Sequence, residues 1–120
     1  MTIGPVEIMV INGPFDGQVI RLNAPNNRFT DFGPGYLFGR RESCDFPLPY
    51  DRWVSGRHAR LYAENGKWYL EDLRSTNHTY IGLTRPDHSF AGKAQIQGPQ
   101  EVSVGTMFQI GRIWLRIQKA

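Results

Sequence analysis

Apolar and polar residues alternate with a period of two over most of the chain, the pattern of strands with one buried face. Residues 7–11 read as a strand, and turn residues follow at Asn12-Gly13-Pro14 and Asp16-Gly17. Residues 18–22 alternate and are expected to pair back on the first strand. Residues 23–35 are rich in Asn, Pro and Gly and are expected to form a loop. Residues 36–38 make a short apolar strand that delivers Gly39-Arg40. Residues 45–49 read as a short edge piece, because proline cannot donate to a ladder. Residues 58–64 and 67–72 flank Asn65-Gly66, the strongest short-range hairpin signal, since both central residues of that turn need a positive φ. Further short strands are expected at 79–81, 101–104, 107–110 and 113–117, with turns at Gly105 and Gly111-Arg112. Residues 83–98 read mostly as loop. No stretch carries a capped i, i+3, i+4 helical pattern. Ten or eleven short strands punctuated by glycine and proline predict an all-β sandwich.

Length and composition narrow this further. A chain of 120 residues is expected to be one domain, with a core spanning about residues 8–117. An apolar content of 40% and a mean hydropathy of −0.43 predict a soluble globular protein. No apolar run approaches the ~18 residues of a membrane span, and the first residues lack the basic and apolar regions of a signal peptide. Cys44 is the single cysteine, which fits a reducing compartment, and it is expected to be a partly buried small residue. The net charge is +3, and eleven of the fourteen basic residues are arginine, a bias suited to bidentate anion contacts. Between Arg40 and Arg74, seven basic residues are interleaved with six acidic ones. That balance permits an acidic partner but is not the unbalanced stripe of a nucleic-acid protein.

Three segments carry more chemistry than a strand framework requires: Gly39-Arg40, Ser55-Gly56-Arg57-His58 and Ser75-Thr76-Asn77-His78-Thr79. Arg40 offers a planar fork of donors that matches phosphate oxygens. Ser55 adds a hydroxyl donor, Arg57 a second cation, and Gly56 allows a backbone to come close. Asn77 carries a donor and an acceptor, which suits a peptide backbone. The set reads as a receptor for a phosphorylated chain and contains no nucleophile paired with a base.

In this order, separated by short strands, the three segments resemble the forkhead-associated (FHA) domain family, over about Ile8 to Ile117. The resemblance implies an eleven-stranded β-sandwich with its binding loops at one end, and recognition of phosphothreonine peptides without catalysis or cofactor. It implies that Arg40, Ser55, Thr76 and Arg57 meet the phosphate, that Asn77 holds the peptide main chain, and that Gly39 and His58 support the loops. Trp53, two residues before Ser55, falls where the family often selects the peptide residue three places after the phosphothreonine. Being uncharged, Trp53 is expected either to favour apolar or aromatic side chains there over Asp, or to fold back onto its own loop and only stiffen it. The implied partner is a threonine-phosphorylated protein made by an upstream Ser/Thr kinase, in the cytoplasm, or in the nucleus of a eukaryote. His78 departs from the usual glycine, a site that typically needs a positive φ, and histidine enters that region more readily than most residues.

Other readings compete. A basic β-module binding nucleic acid, or a degenerate FHA fold with a structural role, would share the composition. Ser55, His58 and Asp72 make a Ser-His-Asp set on paper, but no G-x-S-x-G elbow is present. His58, His78 and His88 lack the spacing of a metal site. Gly33-Pro34-Gly35 lacks the spacing of a phosphate-cradling loop and reads as a turn. Trp68 and Trp114 lie inside alternating strands and are expected in the core, whereas Trp53 lies in a loop.

Overall fold

The period-two pattern becomes strands throughout the computed structural model, which describes residues 5–22, 29–30 and 33–120. In chain order they are β1 (Val6–Val10), β2 (Val19–Leu22), β3 (Phe29–Thr30), β4 (Gly33–Pro34), β5 (Tyr36–Gly39), β6 (Phe46–Pro47) and β7 (Ala59–Glu64). They continue with β8 (Lys67–Asp72), β9 (Thr79–Thr84), β10 (Phe90–Gln95), β11 (Gln100–Val102), β12 (Met107–Ile110) and β13 (Ile113–Lys119). Eleven of these form two sheets, ordered β10-β9-β12-β13-β1-β2 and β11-β8-β7-β5-β6. β3 and β4 pair as a separate ribbon within the expected loop at 23–35, part of which lies outside the described residues. There is no helix among the described residues, and so none long and apolar enough to cross a membrane.

The two sheets meet through their alternating inner positions. Val6, Ile8 and Val10 of β1, Phe108 and Ile110 of β12, and Leu115 and Ile117 of β13 face Phe38, Leu61 and Leu70 across one buried cluster. Phe38 ties the layers together. Its ring stacks on Phe46 at 5.3 Å and meets Phe108 of the other sheet edge-on at 5.6 Å. The β7–β8 hairpin turns at Asn65 (φ 52°) and Gly66 (φ 77°), as the Asn-Gly pair requires. β6 runs parallel to β5 at the sheet edge, where Pro47 costs no ladder bond.

Two sequence expectations are corrected. Residues 83–98 are not mostly loop: β9 runs on to Thr84 and β10 pairs with it antiparallel, through an irregularity between Phe90 and Gly92. β10 is an exposed edge strand of sequence Phe-Ala-Gly-Lys-Ala-Gln, so it has neither the β-branched residues nor the alternation that advertises a half-buried strand. Trp114 is not in the core. Ile113, Leu115 and Ile117 take the inner positions of β13, so Trp114 projects from the outer face and meets Phe90 edge-on at 5.6 Å.

Candidate functional site

Antiparallel pairing places the ends of β5, β8 and β12 beside the starts of β7, β9 and β13. The three chemistry-bearing segments sit at these strand ends, and hydrogen bonds join their loops into one surface. The Arg40 N–H donates to the Ser55 carbonyl at 3.0 Å, and the Arg41 N–H to the Gly56 carbonyl at 3.2 Å. The Thr76 N–H donates to Ser55 Oγ at 3.1 Å, and Asn77 Nδ2 to the Trp53 carbonyl at 2.9 Å.

Gly39 is where backbones approach most closely. A Cβ there would lie 2.2 Å from the Gly56 carbonyl oxygen and 2.9 Å from Cys44 Sγ. Cys44 is buried, and its thiol donates to the same Gly56 carbonyl at 3.3 Å. Burial pushes that thiol up from its ordinary value, which keeps it protonated. Gly39→Ala should therefore destabilise the protein by about 1–3 kcal/mol, the cost of overpacking against backbone that cannot yield. Urea denaturation measures it; unchanged stability would mean that the two loops slide apart freely.

His58 is fully buried at the centre of the loops. Its Nδ1 accepts the Ser55 backbone N–H at 3.0 Å, so Nε2 carries the proton and donates to the His78 carbonyl at 2.8 Å. Burial lowers its pKa from the ordinary value, outweighing the His78 carbonyl and the Asp72 carboxylate, which both raise it. The ring is thus a neutral strut between the Ser55 and His78 loops. His78 takes φ 65°, the left-handed conformation expected where it replaces glycine.

These bonds leave no Ser-His-Asp relay. Ser55 Oγ takes the Thr76 N–H, while His58 Nδ1 takes the Ser55 main-chain N–H and not the hydroxyl. The Asp72 carboxylate stands 4.0 Å from His58 Nε2. It accepts instead from the Ser75 N–H at 3.0 Å, from the Ser75 hydroxyl, and from the Thr79 hydroxyl at 2.7 Å. Asp72 is an anchor for the loop that presents Thr76 and Asn77.

The residues left facing solvent are polar and cationic. Arg40 and Thr76 are exposed, Ser55, Arg57 and Asn77 half-buried. Among the described residues, the Arg40 guanidinium has no carboxylate partner. Ser55 Oγ uses a lone pair on Thr76 and keeps its proton free to donate; Asn77 uses an N–H on Trp53 and keeps its carbonyl oxygen free to accept. Arg74, at φ 56°, is an exposed cation beside the same loop.

Two participants escaped the sequence reading. Asp51 is buried, and its carboxylate accepts the Trp53 N–H at 2.9 Å and the Arg112 N–H at 2.7 Å. It fastens the loop before Ser55 to the β12–β13 turn, where Gly111 (φ 62°) leaves room that a Cβ would fill at 2.8 Å from Asp51 Oδ2. The bond to Trp53 is an Asx-type contact that an aspartate in a turn suggests. The bond to Arg112 crosses 61 positions and leaves no local signal. Arg112 also places its guanidinium 4.8 Å from the centre of the Trp53 ring, which is 39% exposed. The expected uncharged selector therefore has a cation across its face.

A β-sandwich that gathers polar and cationic side chains on loops at one end defines a binding module. Residues 36–111 match the family model of the FHA domain, and the chain belongs to that family. It is 33% identical over 82 residues to the FHA domain-containing protein FhaB of Mycobacterium tuberculosis, a match covering 68% of this chain and 46% of FhaB. The chain thus spans about half the length of the FhaB relatives it matches. Its fold is similar to the FHA domain of the CT664 protein from Chlamydia trachomatis, with a TM-score of 0.71 at 18% identity over 98% of this chain and 99% of that one. It is also similar to the N-terminal FHA domain of S. cerevisiae Rad53p, which was solved in complex with a phosphothreonine peptide. There the TM-score is 0.69 at 21% identity, over 96% of this chain and 93% of that one.

Proposed function

We propose that this protein binds a threonine-phosphorylated segment of a partner protein, so that a Ser/Thr kinase acting on the partner controls the association. The observation that carries the reading is Arg40: an exposed guanidinium without a carboxylate partner among the described residues, its main chain bonded to Ser55 in an FHA-family loop set. The phosphate meets Arg40, the Ser55 hydroxyl and Thr76, with Arg57 alongside, and the free oxygen of Asn77 accepts a main-chain N–H of the peptide. Bidentate arginine and a hydroxyl donor are the chemistry that phosphate dianions select. The role is binding alone, since His58 spends its ring nitrogens on the Ser55 main-chain N–H and the His78 carbonyl and leaves the Ser55 hydroxyl without a base. A reducing compartment such as the cytoplasm suits the free buried thiol.

The test is a titration of a phosphothreonine peptide library beside its dephosphorylated and phosphoserine twins. Binding is expected for phosphothreonine and absent without the phosphate. The lost threonine methyl alone costs about 0.8 kcal/mol, roughly fourfold. Binding that ignores phosphorylation, or oligonucleotide binding with a steep salt dependence, would overturn the proposal in favour of a nucleic-acid module.

A further inference from the structure

A cavity of about 420 Å³ opens between the two sheets at the end of the sandwich away from the phosphate loops. Val6 at the start of β1 and Lys119 at the end of β13 line it from one sheet. Trp68 at the start of β8 and Val102 at the end of β11 line it from the other, with Val104 following. We infer that this cavity is a binding site for a small apolar acid, whose hydrocarbon part lies between the sheets and whose carboxylate meets the Trp68 N–H and Lys119. The inference goes beyond the phosphopeptide reading and does not depend on it, since the two sites share no residue.

Two features of the lining are more than the fold requires. Trp68 is 5% exposed, and its indole N–H is buried without an acceptor among the described residues. A buried donor in that condition favours whatever brings it an oxygen. The second feature is Lys119. β13 turns Ile113, Leu115 and Ile117 into the core, and Lys119 falls on the same inward face two residues further on. Its register partner on β1 is the buried Val6. Among the described residues, no carboxylate lies within ion-pair distance of Lys119. Glu101, the acidic group in the lining, is already paired with Lys67 at 3.4 Å. An acid answers both features, its charge meeting the lysine and its oxygens accepting the N–H.

The rest of the lining suits hydrocarbon. Val6, Val102 and Trp68 belong to the core cluster, and Val104 beside them is 56% exposed. A chain laid on these valines covers apolar surface that the protein itself leaves open. The volume falls within the ~300–1,000 Å³ of small-molecule pockets. Facing sheets stand about 10 Å apart, and the flexible four-carbon stem of Lys119 lets its ammonium lean across that gap towards β8.

The experiment follows the indole N–H resonances of Trp53, Trp68 and Trp114 by NMR in titrations with butanoate, hexanoate and octanoate, all below micelle-forming concentrations, and with octanol. Trp68→Phe identifies the Trp68 signal by its loss. Octanoate is expected to move that signal saturably and downfield, as a hydrogen bond forms, and to leave the signals of Trp53 and Trp114 in place. Affinity should rise along the acid series, by up to about fourfold for each CH₂ buried. Lys119→Gln changes an exposed side chain, and its thermal melt should match the wild type. It should weaken octanoate about three- to tenfold, the size of a partly screened charge contact, and leave octanol unchanged. No saturable shift at Trp68 overturns the site, and so do equal shifts at all three indoles, the mark of detergent-like association. An octanoate affinity that survives Lys119→Gln, or a flat chain-length series, overturns the assignment of a small apolar acid.

Discussion

Arg40→Ala should fold as the wild type does and lose about 2–5 kcal/mol of phosphothreonine-peptide affinity, roughly thirtyfold to several thousandfold. The two halves of that expectation have separate causes. The fold is spared because the side chain is exposed and has no carboxylate partner among the described residues. Its structural contribution is made by the main chain, whose N–H bonds the Ser55 carbonyl at 3.0 Å whatever side chain is present. The affinity is lost because, in the proposed complex, the guanidinium supplies two parallel donors to one phosphate, and removing them leaves the dianion only the Ser55 hydroxyl, Thr76 and the half-buried Arg57. Arg40→Lys should recover part of the loss, keeping the charge without the fork. Calorimetric titration and a thermal melt on each variant suffice. Wild-type affinity in Arg40→Ala would place the phosphate elsewhere, and a collapsed melt would make Arg40 a structural residue.

How much of this was legible in the sequence depended on how far each contact reached. The β7–β8 hairpin was written locally, in two alternating runs and Asn65-Gly66. The left-handed loop position showed as His78 where glycine is usual, and its φ of 65° follows. What stayed hidden had no local mark. β10 lacks the pattern of a strand because it lies at an edge with most of its side chains in water. Trp114 was misplaced although its neighbours carried the answer: period two puts it opposite Ile113 and Leu115, and those two take the core. Asp51 and Arg112 are ordinary turn residues until the sandwich closes and brings them together. The chemistry-bearing residues could be picked out from their types, but the scaffold that orders them could not, because its contacts run between distant loops.

His58→Ala should destabilise the protein by about 3–5 kcal/mol, lowering the melting temperature by roughly 10 °C or more. The substitution leaves the Ser55 N–H without its acceptor and the His78 carbonyl without its donor, and opens a void between them. Each orphaned backbone group, facing the space that the fully buried ring had filled, costs about 1–3 kcal/mol. Both bonds belong to loops that present Ser55 and Asn77, so phosphopeptide affinity should fall with stability. His58→Asn should do less harm, since its side-chain oxygen can stand near the place of Nδ1 and keep the Ser55 bond. The same geometry sets a pH dependence. Native His58 cannot take a proton on Nδ1 without giving up the Ser55 N–H, and burial holds its pKa below the unfolded value of about 6.5. The unfolded chain therefore binds a proton that the native state refuses. The stabilising contribution of neutral His58 is complete above about pH 6.5 and is lost progressively as the pH falls from there towards the native pKa, at no more than about 1.4 kcal/mol per pH unit. Denaturation without peptide, from pH 8 down to 5, keeps the titration of the phosphate out of the measurement. Subtracting the His58→Asn profile removes the titration of the other groups. A difference curve that declines below pH 6.5 is the expected result, whereas a flat one would mean that His58 accepts its proton in the folded state as readily as in the unfolded.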